Sequence, residues 1–234
     1  MPLPKLALLL GCYLLISSCR TPVMPQPQPT DLHITYLALG DSYTIGEQVD
    51  TPLRYPIQLG GLLKQKNIFI DTTKIIARTG WTTADLTQGI DAAAISTKKY
   101  GFVSLLIGVN NQYRSGLGGL AGYRTEFTQL LQKAIGFANQ NKSHVCVISI
   151  PDYGVTPFGQ GNAAKIAAEI DKYNAAAKEI CVSQGIAFFN ITEISRTALG
   201  DPSLTAIDGL HPSGKMYGLW ASAIQDSVSV LLRK

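Results

Sequence analysis

Three residue types that cooperate in nucleophilic catalysis occur in suggestive settings in this chain. Ser42 lies in Gly40-Asp41-Ser42-Tyr43-Thr44, two residues past a glycine. A serine hydroxyl at the end of a strand can attack a carbonyl once a base takes its proton. Serines at such places also cap helices and close turns. The stretch is not a G-x-S-x-G elbow either, because Tyr43-Thr44-Ile45 separates Ser42 from Gly46. The base must come from three histidines, His33, His144 and His211. His211 sits in Asp208-Gly209-Leu210-His211-Pro212, where a carboxylate three residues earlier can accept a hydrogen bond from the ring and fix its tautomer. Acyl transfer also needs donors for the oxyanion. Gly80, in Arg78-Thr79-Gly80-Trp81, lets the backbone approach closely, and Gly108-Val109-Asn110-Asn111 offers an amide side chain, although glycine and asparagine are also ordinary turn residues.

The elements that must position these residues alternate along the chain. Ile34 to Leu39, Ile75 to Ala77, Phe102 to Ile107, Val145 to Ile150 and Ile186 to Ile191 are short, nearly continuous apolar runs, as expected of strands covered on both faces. Leu120, Tyr123, Phe127, Leu130, Leu131, Ala134 and Ala138 recur at helical steps, as do Ile166, Ile170, Tyr173, Ala177 and Cys181. A last helix is expected to start near Ser213, with Met216, Trp220 and Ile224 on one face. Pro52 to Lys66 reads as a weaker helix, interrupted by Pro56 and Gly60-Gly61. The alternation implies a three-layer α/β/α domain with a mainly parallel, five-stranded sheet. Right-handed crossovers place the strand-to-helix loops, those starting at 40, 78, 108, 151 and 192, at one edge of it. His33 and His144 precede strands and fall at the other edge. Only His211 follows the last strand, on the edge that carries Ser42.

Gly40-Asp41-Ser42, Gly80, Gly108-Val109-Asn110 and Asp208 to His211 stand in the order of four sequence blocks. Together they make residues 34 to 231 resemble the SGNH, or GDSL-like, hydrolase family of serine esterases and lipases. The resemblance implies a flavodoxin-like α/β/α fold, Ser42 as nucleophile, His211 as base and Asp208 as its orienting partner. It implies an oxyanion hole from the Ser42 and Gly80 N–H groups and the Asn110 side chain. One departure is Asn111, where many family members carry aspartate; it bears on support and substrate contacts more than on activity. The implied mechanism passes through an acyl-enzyme and needs no metal or cofactor. Its substrates would be small-molecule, glycan or lipid esters. Trp81, Tyr113 and Arg114 fall beside the site loops, with pocket, core and surface roles all open.

At 234 residues, 46% hydrophobic and 15% charged, the chain suits one well-buried domain, expected to be monomeric. Its net charge of +4 is small and its Lys and Arg are scattered, which gives no footprint for nucleic acid. The start is different. Lys5 and the apolar run Leu6 to Ile16 describe an export signal too short to span a bilayer. Ile16-Ser17-Ser18-Cys19 resembles the lipobox of bacterial lipoproteins, so residues 1–18 are expected to be cleaved, leaving Cys19 lipidated and the protein anchored to a membrane of the cell envelope. Leu10-Gly11-Cys12 is a competing site, and an ordinary signal peptide the plainer reading. Pro22, Pro25, Pro27 and Pro29 make residues 19–32 a semi-extended spacer ahead of a domain over 33–234. Cys146 and Cys181 remain, as a disulfide or as two buried thiols, without zinc spacing. An acyltransferase, an inert ligand-binding lipoprotein and a flavodoxin-like phosphate binder are the competing functions. The first loop lacks a glycine-rich phosphate cradle, which counts against the last.

Overall fold

The computed structural model describes residues 30–114 and 118–234. The expected signal segment, Cys12, Cys19 and the spacer up to residue 29 therefore lie outside the described residues.

The chain runs β1 (Leu32–Gly40), α1 (Ser42–Ile45), α2 (Tyr55–Lys64), β2 (Ile68–Ala77), α3 (Thr83–Ala92), β3 (Phe102–Leu106), α4 (Val109–Tyr113), α5 (Gly119–Phe137), β4 (Val145–Ile148), α6 (Ala163–Gln184), β5 (Ala187–Phe189), α7 (Thr192–Arg196) and α8 (Gly214–Leu232). The five strands form one parallel sheet in the order β2-β1-β3-β4-β5. Helix α2 packs on α8, while α3, α5 and α6 pack in series, so helices cover both faces. β1 lies inside the sheet, next to the edge strand, paired from Tyr36↔Phe102 to Gly40↔Leu106 with β3 and along its whole length with β2. β2 and β3 flank β1 on opposite sides, so the crossovers diverge there and open a crevice at the carboxyl ends of β1 and β3.

The apolar periodicity settles the main helices. Tyr123, Phe127, Leu130, Leu131 and Ala134 of α5 are buried, as are Ile166, Ile170, Tyr173, Ala177 and Cys181 of α6. Ser213 caps α8 by accepting from the Met216 N–H, and Met216, Trp220, Ile224 and Val228 face the core.

Three expectations need correction. α2 is not interrupted: Pro56 stands in its first turn, where a missing N–H costs nothing, and the helix passes through Gly60-Gly61 unbroken. β2 begins at Ile68, well before Ile75, because an edge strand pairs by its backbone even where its side chains, such as Asp71 and Thr72, are exposed. α3 fills the β2-to-β3 connection, a stretch without a strong apolar periodicity. Its inner face holds only Thr83, Leu86 and Ile90, and its start is fixed by a capping box between Thr82 and Asp85.

Cys146 and Cys181 are free, buried thiols. Burial pushes both thiol pKa values up, that of Cys181 to about 12, so neither is a reactive thiolate at neutral pH. Among the described residues no helix is long and apolar enough to cross a membrane, and no group of three or more His, Cys, Asp or Glu could hold a metal ion.

Candidate active site

Ser42 is set by the turn from β1 into α1. Gly40 is required there by close approach: a Cβ would fall 2.1 Å from Thr44 Oγ1 and 2.4 Å from the Leu106 carbonyl oxygen of β3. Asp41 caps α1, its Oδ1 accepting from the Tyr43 N–H at 3.0 Å. Asp41 is fully buried and its Oδ2 has no protein partner. Burial therefore raises its carboxyl to about 7, against the lowering effect of the backbone hydrogen bonds. Ser42 is the first residue of α1, 5% exposed, and lines a cleft of about 130 Å³. Thr79, Gly80, Asn110 and His211 line the same cleft.

His211 reaches the cleft from the loop before α8. Its Nδ1 donates to Asp208 Oδ2 at 2.6 Å, and Asp208 Oδ1 accepts the Leu210 and His211 N–H groups, both at 3.0 Å. One short loop thus clamps carboxylate and ring together. Burial pushes the Asp208 carboxyl up, but the hydrogen bonds from the His211 ring and the two N–H groups outweigh it and hold the pKa below the usual carboxylate value. With Nδ1 as donor, Nε2 is the ring's lone-pair nitrogen. Tyr43 meets the ring edge-on, with centroids 5.8 Å apart.

The two donor loops are tied to each other. Arg78 to Trp81 forms a turn closed by the Trp81 N–H on the Arg78 carbonyl at 3.2 Å, with Gly80 at φ +82, a conformation that suits glycine. Asn110 Nδ2 donates to the Trp81 carbonyl at 3.0 Å, which fastens α4 to this turn and leaves the second amide hydrogen for another acceptor. Asn111, only 4% exposed, faces away. Its Oδ1 accepts from the Thr83 N–H at 3.0 Å and its Nδ2 donates to Thr83 Oγ1 at 2.7 Å, while the Thr83 hydroxyl donates to Glu126. Residues 109–113 are helical, so the neighbouring asparagines point about 100° apart. The support role expected of Asn111 therefore holds, and contact with substrate is unsuited to its burial.

Ser42, Gly80, Asn110 and His211 come together at one cleft, with Asp208 behind the ring. Of the flanking residues, Tyr113 lines the cleft. Trp81 instead lays its ring over Gly89 of α3, and the Arg114 guanidinium lies beside Gly80. Sequence reasoning missed Tyr43, Tyr153, Phe158 and Leu210, which supply apolar walls. Tyr153 and Phe158 belong to the loop starting at 151, which topology marks as a site loop without naming a residue in it. That loop is anchored by Asp152, whose carboxylate caps the Tyr153–Val155 turn and pairs with Arg196 at 3.0 Å.

Fold and cleft define the class: a three-layer α/β/α domain whose cleft opens where the crossovers of its parallel sheet diverge. A model of the GDSL-like lipase/acylhydrolase family matches residues 38–219, and the chain belongs to that family. This membership supports a hydrolase or esterase role. No curated protein matches the chain in sequence. Among solved structures it is similar to the lipase/acylhydrolase from Enterococcus faecalis, with TM-score 0.65 and 16% identity over 84% of this chain and 95% of that one. An acetyl-xylooligosaccharide esterase from Geobacillus aligns with TM-score 0.64 and 20% identity over 87% and 96%. A psychrotrophic esterase from Pseudoalteromonas, solved inhibited by monoethylphosphonate, aligns with TM-score 0.61 and 19% identity over 86% and 99%. At these identities the likeness speaks to the fold.

Proposed function

We propose that the protein hydrolyses carboxylic esters by a two-step route through an acyl-enzyme on Ser42. Ser42 Oγ attacks the carbonyl carbon while His211 Nε2 takes its proton, with Asp208 holding the ring and stabilising the imidazolium. The Ser42 and Gly80 N–H groups and the free Asn110 amide hydrogen receive the oxyanion. The carbon–oxygen bond to the alcohol breaks as the alcohol takes the proton from His211. Water, deprotonated by His211, then releases the acid and returns Ser42. The observation that carries this reading is the 2.6 Å contact between His211 and Asp208 at the cleft lined by Ser42. Its test is p-nitrophenyl acetate turnover: wild type should hydrolyse it, and folded Ser42→Ala should not. Equal turnover by the two would refute the assignment.

The same reading extends to location. A lipid on Cys19 would tether the domain to a membrane of the cell envelope. The described chain enters the sheet at Leu32, at the edge opposite the cleft. Labelling with a fatty acid should mark wild type and not Cys19→Ala.

A further inference from the structure

The cleft does not end at its apolar walls. Tyr113, Tyr153 and Phe158 stand in mutual contact, with ring centroids 6.1–6.2 Å apart. All three also line a second, larger groove of about 440 Å³, which Ser42 does not line. Tyr113 and Phe158 are 59% and 55% exposed, so their aromatic surface is offered to whatever crosses between cleft and groove. The rest of the groove is mostly polar: Gln112, whose Oε1 accepts from the Tyr153 hydroxyl at 3.1 Å, Asn162, Lys165 and Glu169, whose Oε1 pairs with Lys172 at 2.6 Å, bring amides, a cation and a carboxylate.

We propose that this groove is the leaving-group subsite of the esterase, and that it takes a neutral polyhydroxylated alcohol, a sugar unit carrying a short acyl ester. The inference rests on the reading of Ser42 as nucleophile. The reacting carbonyl must sit in the small cleft beside Ser42 and Asn110, whose volume and apolar walls fit a short acyl group. A long acyl chain continuing into the groove would desolvate Lys165 and Glu169 without replacing their water. A phosphorylated leaving group would meet Glu169, and a cationic one Lys165. Hydroxyls both donate and accept, so they suit a wall carrying both signs and amides, while the C–H faces of a sugar ring cover exposed aromatic surface. In the reaction the ester bond to the sugar oxygen breaks, that oxygen takes the proton from His211, and the sugar leaves by the groove.

Asn162 and Glu169 line only the groove and stand outside the reaction centre. The test compares wild type with the Asn162→Ala, Glu169→Ala double variant on p-nitrophenyl acetate and on acetylated xylo- or chito-oligosaccharides. Two lost hydrogen bonds should lower kcat/KM on the oligosaccharides about tenfold, mainly through KM, with turnover of p-nitrophenyl acetate nearly unchanged. If wild type hydrolyses p-nitrophenyl acetate but ignores the acetylated oligosaccharides, or if the variant loses nothing on them, the sugar subsite is wrong and the esterase reading stands. If wild type turns over neither substrate, the esterase reading falls and the subsite with it.

Discussion

Two histidine–aspartate pairs stand at opposite ends of the sheet, and they look alike until their surroundings are compared. At the start of β1, His33 Nδ1 lies 2.8 Å from Asp71 Oδ1; before α8, His211 Nδ1 lies 2.6 Å from Asp208 Oδ2. The first pair is open to solvent, with side chains 59% and 50% exposed, and its ring stacks on Phe69. The second is shielded, at 10% and 25%, and its carboxylate also holds two backbone N–H groups. Only the second shares a cleft with a serine and with loops that can present N–H donors. A histidine–aspartate contact is therefore not a site by itself. What distinguishes the His211 end is the parallel sheet, which gathers loops from several strands at one edge and leaves the other edge with strand starts.

Mutating both pairs breaks the comparison most severely. His211→Ala should reduce ester turnover by a factor of the order of 10⁴ or more, and Asp208→Asn by a factor approaching ~10⁴. His33→Ala, Asp71→Asn and His144→Ala should leave kcat nearly unchanged; steady-state rates on one p-nitrophenyl ester check all five. Within the cleft end, Asn110→Ala should lower kcat by about 10²–10³ with little change in KM, as expected for a donor acting in the transition state. Asn111→Ala should act on stability instead. It strips the buried Thr83 N–H of its acceptor, so about 1–3 kcal/mol should be lost in a urea melt, with a smaller loss of kcat.

A further effect is thermodynamic and depends on pH. Burial raises the Asp41 carboxyl to about 7, above its ordinary 3.8. The folded chain then keeps a proton that the unfolded chain has already released. Asp41's contribution is fully present below about pH 4 and lost as pH rises through 7. Asp41→Asn keeps an acceptor for the Tyr43 N–H and removes that loss. Its unfolding free energy should gain on wild type by up to a few kcal/mol between pH 5 and pH 8 in urea melts.

The sequence made the sheet legible because strands covered on both faces are written in continuous apolar residues, and the long helices because each buries four or more large side chains. It hid α3, whose inner face is small, and most of β2, whose exposed side chains are polar. The candidate site was legible where chemistry demands particular atoms, at Ser42, Asp208, His211, Gly80 and Asn110. The walls were not, since Tyr153, Phe158 and Leu210 act through shape, and many apolar residues could fill the same space. The different settings of Asn110 and Asn111 were half legible: Asn111 stands out as a departure from the family pattern, but its buried grip on Thr83 depends on α3, which periodicity does not reveal.

The central claim is that Ser42, activated by His211, is the residue that becomes acylated. It is tested most directly by treating the protein with a fluorophosphonate and mapping the adduct by peptide mass spectrometry. The account predicts one adduct, on Ser42, formed at nearly the wild-type rate in His33→Ala and far more slowly in folded His211→Ala. An adduct on another serine, or equal labelling rates in the two histidine variants, would contradict it.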